Sequence, residues 1–294
     1  MMEALEHRVW VYRLALPFMT VIATYIHVKK SILRLAAIDP KINCWIVDGL
    51  SVNSRRVKEG SARWLALDTC YNFVSGTGRN AFVRKIDDFW MRVRNAQAVR
   101  NRLKIVKREL SLAIQAVSQT NADDCIRILS LAAGAAQGVI ETAAQLKQRG
   151  IRCEVLLVDS DPAALRYALK LAGEHGVADS VTVREGNVLF FEREIGEFRP
   201  DIIEMIGLID YLRDKILISL LKKIKRHLKT GGIFLTGHIH PNPESYFIRH
   251  AVNWDMIYRT QEQLEDLLVD GGFLGAKLYT EPHGIHSVAV VSKL

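Results

Sequence analysis

A chain of 294 residues, 49% hydrophobic and 24% charged, has enough apolar material for a packed core, which excludes disordered and fibrous classes. Its net charge of +8 is unevenly spread: residues 1–120 carry 20 Lys/Arg against 9 Asp/Glu, and the remainder 20 against 23. That asymmetry predicts two modules, 1–118 and 119–294, divided at the polar run Ser118 to Asp124. The cysteines, Cys44, Cys70, Cys125 and Cys153, lie far apart and share no zinc spacing with each other or with histidine, which predicts reduced thiols, a cytoplasmic location and no metal.

In chain order, Leu14 to Val28 is uncharged and strongly apolar, with Arg13 before it and Lys29-Lys30 after it. It falls short of the ~20 residues that span a bilayer. Two readings stand: a helix packed on the rest of the protein, or a peripheral membrane contact through residues 14–28. Residues 42–57 suggest a short strand or loop. Arg84–Arg94 and Ala96–Val117 are helical, the latter with Val99, Leu103, Val106, Leu110, Ile114 and Val117 at three- and four-residue spacing. The basic charge of this region fits a solvated helical surface. With no RNA-binding signature, nucleic acid is not an expected partner.

From Cys125 onward, strand-like and helical runs alternate, as in a parallel α/β sheet. Strands are expected at Ile126–Leu131, Val155–Val158, Val181–Glu185, Ile202–Ile206, Ile233–Thr236, Gly275–Thr280 and Ser287–Val291. Helices are expected at Val139–Lys147, Ala163–His175, Lys215–Leu228 and Gln261–Asp270. The link from Glu281 to His286 is so short that the last two strands must be antiparallel. The stretch from Ile126 to Asp161 reads strand, small-residue turn, helix, strand, acid, which is the layout of a nucleotide-type cofactor site.

These segments carry a resemblance. ILSLAAGAAQG, VLLVDSDPAAL, VREGNVLFF, FRPDIIEMIGLIDYL and HLKTGGIFLTGHI stand in the order of the motifs of class I S-adenosylmethionine-dependent methyltransferases, and a terminal hairpin completes the pattern. Residues 125–294 resemble that family throughout. GLIDYL, HIHPNPESYF, WDMIYRT and NAQAVRNRLKIV resemble a bacterial subset acting on small-molecule or lipid-like acceptors. The resemblance implies an α/β, Rossmann-like seven-stranded sheet with an N-terminal, mostly helical cap that selects the acceptor. It also implies S-adenosylmethionine as cofactor.

Carried onto this chain, the motifs make Ser130, Ala132, Gly134, Asp159, Ser160, Asn187, Val188 and Gly207 the cofactor-binding residues. Asp159 is the expected ribose acceptor, because Asp161, just before Pro162, suits the helix N-cap. Asn187 and Val188 are expected at the adenine. Two departures stand out: Ser130 replaces the usual acid of the first motif, and alanines replace its flanking glycines. Tyr211, His238 and His240 are the candidate catalytic residues, and His238 and His240 alternate on a strand end and so share a face. Arg100, Asn95 and Asp210 are candidates for binding the substrate or a carboxylate, Arg100 through a bidentate pair. Arg102, Lys104, Lys107 and Arg108 are expected on a solvated helix face. Tyr71, Asn72 and Trp90 fit either a lid or the core, and Glu204 either reaches the site or finishes a strand. Three activities follow: methyl transfer, cyclisation of the cofactor's methionine part with release of methylthioadenosine, or nucleic-acid binding through the basic module.

Overall fold

The computed structural model describes residues 3–7, 10–35, 43–76, 80–120 and 125–293; Ile42 and residues 121–124 of the expected linker lie outside them. Among the described residues five α-helices precede the first strand: α1 (Trp10–Leu35), α2 (Val52–Glu59), α3 (Trp64–Tyr71), α4 (Ala81–Trp90) and α5 (Arg94–Thr120). Ser118, expected in a linker, lies within α5. The strand-or-loop reading of residues 42–57 is corrected, because Trp45–Gly49 forms a π-helical turn that leads into α2. Local side-chain bonds win over β propensity there. The Asp48 carboxylate accepts from the Cys44 N–H at 2.7 Å, and the Ser51 hydroxyl accepts from the Ser54 N–H at 2.9 Å as the N-cap of α2.

The α/β part then runs β1 (Cys125–Leu131), α6 (Gln137–Lys147), β2 (Arg152–Asp159), α7 (Pro162–Glu174), β3 (Val181–Glu185), α8 (Glu192–Ile195) and β4 (Ile202–Ile206). It continues with α9 (Asp214–His227), β5 (Ile233–Ile239), α10 (Ser245–His250), α11 (Gln261–Asp270), β6 (Lys277–Thr280) and β7 (His286–Ser292). The strands form one seven-stranded sheet in the order β3-β2-β1-β4-β5-β7-β6. Neighbours from β3 to β5 are parallel, and β7 runs antiparallel between β5 and β6. The expected hairpin is therefore present. Its turn is tied by the buried Glu281 carboxylate, which accepts from the N–H groups of His283 and Ile285 at 2.8 and 2.7 Å.

The central strands are apolar on both faces because helices cover both. One core cluster joins Leu110, Ile114, Ile128, Val139, Val155 and Leu165. The other joins Leu129, Ile203, Leu217, Leu220, Phe234 and Phe273. Gly232 begins the turn into β5, where a Cβ would stand 2.8 Å from the carbonyl oxygens of Asp201 and Lys229, so no larger residue fits without a backbone shift.

α1 buries Met19, Ile22, Ala23 and Ile26 against the body of the protein. Its opposite face leaves Leu14, Phe18, Val21, Tyr25, Val28 and Ile32 exposed, spaced alternately four and three residues apart. Among the described residues no helix is long and apolar enough to cross a membrane.

Candidate active site

In a sheet of this kind ligands lie beyond the carboxyl ends of the strands, where the strand order reverses. That point falls between β1 and β4, and a cleft of about 1600 Å³, counted with its open mouth, lies there. Its floor is the loop from Ala132 to Ala136, with Asp159 to Asp161 on one side and Glu204 to Leu208 on the other. Gly134 has φ +54°, and Ala132 and Ala136 also sit in the left-handed region at 52° and 50°. The alanines thus adopt the backbone that glycine takes more readily, at a cost of about 1 kcal/mol each.

Asp159 keeps this loop in shape. Its Oδ2 accepts from the Gly134 N–H and its Oδ1 from the Asp161 N–H, both at 2.8 Å. Asp161 caps α7 by accepting from the Ala163 N–H at 2.8 Å. The other wall comes from the N-terminal helices. Trp64, Leu67 and Tyr71 of α3 line the cleft, and a Cβ on Gly134 would lie 3.1 Å from that of Trp64. The Trp64 ring packs on Tyr167 with centroids 5.0 Å apart, and the Asn72 and Gln137 side-chain amides pair at 3.1 Å, fastening α3 over the cofactor loop.

Ser130 is fully buried, and its hydroxyl donates to Glu204 Oε2 at 2.5 Å. The two residues are register partners on β1 and β4. A carboxylate therefore stands beside the position where the family's first motif carries its own. Burial raises the Glu204 carboxyl to about 7, against the hydrogen bond from Ser130 that lowers it.

A second, mainly apolar cavity of about 820 Å³, counted with its open mouth, adjoins the cleft. Its walls include Val57, Trp90, Val99, Phe247, Ile248 and Met256, and its polar lining includes Arg102, Asp210, Tyr211 and His286. Leu67, Gly207, Tyr211 and Trp254 line both spaces, so the two meet at these side chains.

The remaining expected residues fall in several places. Gly207, with φ +85°, lies at the junction, and Ser160 edges the cleft. Asn187 accepts from the Leu189 N–H at 2.9 Å, and Val188 is buried in the core; neither lines the cleft. Asn95 lines the apolar cavity and donates to Glu244 Oε2 at 2.7 Å. Asp210 accepts from the Ile239 N–H at 3.1 Å. The Tyr211 hydroxyl accepts from Trp254 Nε1, and burial raises it to about 12.

Two expectations are corrected. Arg100 is not held in reserve for a ligand carboxylate, because its guanidinium grips Glu6 through two bonds of 2.7 and 2.9 Å. His238 and His240 share a face as expected, with ring centroids 5.0 Å apart, yet both are buried and neither lines a cavity. Both bond the Arg259 carbonyl, and His240 Nε2 also meets Ser287 Oγ at 2.6 Å. The Arg259 carbonyl and Ser287, on the neighbouring strand β7, hold the two rings in a structural network. Trp90 is likewise a wall: it stacks on Phe247 at 5.3 Å and donates to the Ile46 carbonyl.

Arg102, expected in solvent, is only 2% exposed. It donates to the Tyr71 hydroxyl at 3.3 Å, and its Nε has no hydrogen-bond partner. The sequence held the signal: Arg102 stands three residues after Val99 and four before Val106, on the apolar stripe itself.

A parallel sheet closed by a reversed last strand, with a small-residue loop after β1 and an acid ending β2, defines the class I S-adenosylmethionine-dependent methyltransferases. The family model described as "Putative methyltransferase" matches residues 26–293, and the chain belongs to that family. No curated protein matches it. A possible exported protein from Bordetella parapertussis is similar over 96% of both chains, with a TM-score of 0.71 and 17% identity. An O-methyltransferase family protein from Burkholderia thailandensis gives a TM-score of 0.53 at 14% identity, over 94% of this chain and 71% of that one. The magnesium protoporphyrin IX methyltransferase of Synechocystis PCC 6803, solved with S-adenosylhomocysteine bound, gives 0.51 at 11% identity, over 74% of this chain and 90% of its own. At these identities the likeness is one of fold.

Proposed function

We propose that the protein transfers the methyl group of S-adenosylmethionine to a small, largely apolar acceptor bound beside Tyr211. The observation that carries this reading is the meeting of the two spaces at Leu67, Gly207, Tyr211 and Trp254. A cofactor in the cleft and an acceptor in the cavity would face each other there. Methyl transfer needs nucleophile, carbon and sulfur in line, so positioning is the main demand on the protein.

In this reading the loop from Ala132 to Gly134 lets the backbone approach the cofactor, and Asp159 accepts from the ribose hydroxyls with lone pairs not used by the loop. Ser160 lies at the same edge of the cleft. Glu204, braced by Ser130, faces the methionine ammonium in place of the missing β1 acid. Asp210 and Asn95 shape the polar end of the acceptor cavity. The four cysteines form no disulfide, which supports a reducing, cytoplasmic setting. α1 carries no acid in its first turn and has Arg34 in its last; its apolar exposed face, with Trp10 and Tyr25 on it and Arg13 and Lys29 beside it, supports peripheral contact with an anionic membrane.

The test is to incubate the protein with S-adenosylmethionine, with and without a panel of amphiphilic acids, alcohols and phenols. S-adenosylhomocysteine released only with an acceptor supports methyl transfer. Methylthioadenosine released without any acceptor contradicts it and establishes cyclisation.

A further inference from the structure

We propose that the acceptor is an apolar molecule ending in a carboxylate, which Arg102 receives where the apolar cavity opens onto the cofactor cleft. The proposal rests on the methyltransferase reading above and names the substrate class for that site.

Removing a cation from water costs several kcal/mol unless an anion or good hydrogen bonds replace the hydration. Arg102 is buried, bonds only the Tyr71 hydroxyl, and leaves Nε unpartnered. No carboxylate among the described residues stands within ion-pair distance of it. Asp210 and Glu204 contribute to its field from further away, but each is engaged: Asp210 with the Ile239 N–H, Glu204 with Ser130. A planar guanidinium facing a cavity suits a two-oxygen acid better than a single hydroxyl.

Elsewhere in the cavity, Val57, Val99, Trp90, Phe247 and Met256 offer nothing to a polar body and much to an alkyl or aromatic one. His238 and His240 are locked in their own network, and His286, which does line the cavity, is held neutral by burial and by Arg102. An alcohol would have to lose its proton to a base of matched strength. A carboxylate arrives ionised. One of its oxygens forms the new bond to the methyl carbon, the carbon–sulfur bond breaks, and its electron pair stays on sulfur. The products are a neutral methyl ester and S-adenosylhomocysteine, and no proton moves. The ester has lost the charge that Arg102 attracts, which favours its release.

The probes are decanoate and 1-naphthoate, each compared with its alcohol, titrated calorimetrically into protein saturated with S-adenosylhomocysteine. The acids should bind at least tenfold more tightly than the alcohols. Arg102→Met should abolish that preference and Arg102→Lys should keep part of it. With S-adenosylmethionine, mass spectrometry should detect the methyl ester of a bound acid. Equal binding of acid and alcohol to the wild type overturns the proposal, as does unchanged acid binding by a folded Arg102→Met protein. If Arg102→Met weakens S-adenosylhomocysteine but not methylthioadenosine, Arg102 serves the cofactor's own carboxylate and the proposal falls. Should Arg102→Met fail to fold, the acid preference of the wild type and of Arg102→Lys decides. A wild type that binds no S-adenosylhomocysteine at all overturns the methyltransferase reading instead.

Discussion

Glu204 is an acid whose surroundings keep it near neutrality: burial lifts it from the ordinary carboxyl range to about 7. Between about pH 4.5 and 7 the folded state holds this proton while the unfolded chain has released it, so stability falls as pH rises through that window. Glu204→Gln should flatten the decline, and above pH 8 it should be the more stable protein, by an amount on the order of 3 kcal/mol at most. Thermal unfolding from pH 5 to 8.5 measures this; parallel curves for the two proteins would refute it. Ser130→Ala removes the one side-chain hydroxyl that donates to Glu204 and should cost about 1–2 kcal/mol at pH 8. Urea unfolding checks that value. Arg102 did not stand out in the sequence as a site residue, and Glu204 read equally as reaching the site or finishing a strand. A basic residue in a basic helix reads as ordinary, and only the neighbouring strand and helix show what the two residues face. Asp159 was legible because strand, turn and acid are close in sequence.

At the scale of elements, the strands and the helices α6, α7, α9 and α11 were readable to within a few residues, because a parallel sheet writes buried strands as continuous apolar runs; the short helices α8 and α10 were not expected. Residues 43–57 misled for the opposite reason: their conformation is set by Asp48 and Ser51 bonding nearby backbone, which apolar periodicity does not register. The turn into β5 is set by contact with backbone carbonyls, so Gly232→Ala should destabilise by about 1–3 kcal/mol, read as a lower urea midpoint with an unchanged slope. α1 makes the clearest prediction about surroundings. In sedimentation with vesicles rich in phosphatidylserine, the protein should pellet, and Phe18→Glu with Tyr25→Glu should keep it in solution without lowering its melting temperature. Equal pelleting of both proteins, or none by the wild type, would contradict the membrane contact.

At the scale of the whole molecule, the sheet order fixes where a ligand can sit, and the helices ahead of β1 wall the space beside it. α3 walls the cleft with Trp64 and Tyr71, α5 brings Arg102 to the junction, and residues from α2, α4 and α10 complete the apolar cavity. The sheet and the loop after β1 could be read from motif order. The apolar cavity could not, because its walls come from segments more than a hundred residues apart whose meeting leaves no local pattern. The central claim is that the cleft between β1 and β4 holds the methyl donor with Asp159 at its ribose. Calorimetric titration with S-adenosylhomocysteine tests it most directly. The wild type should bind one equivalent, and Asp159→Ala, still folded by circular dichroism, should bind about tenfold or more weakly. No binding by the wild type, or equal binding by the folded variant, would contradict it.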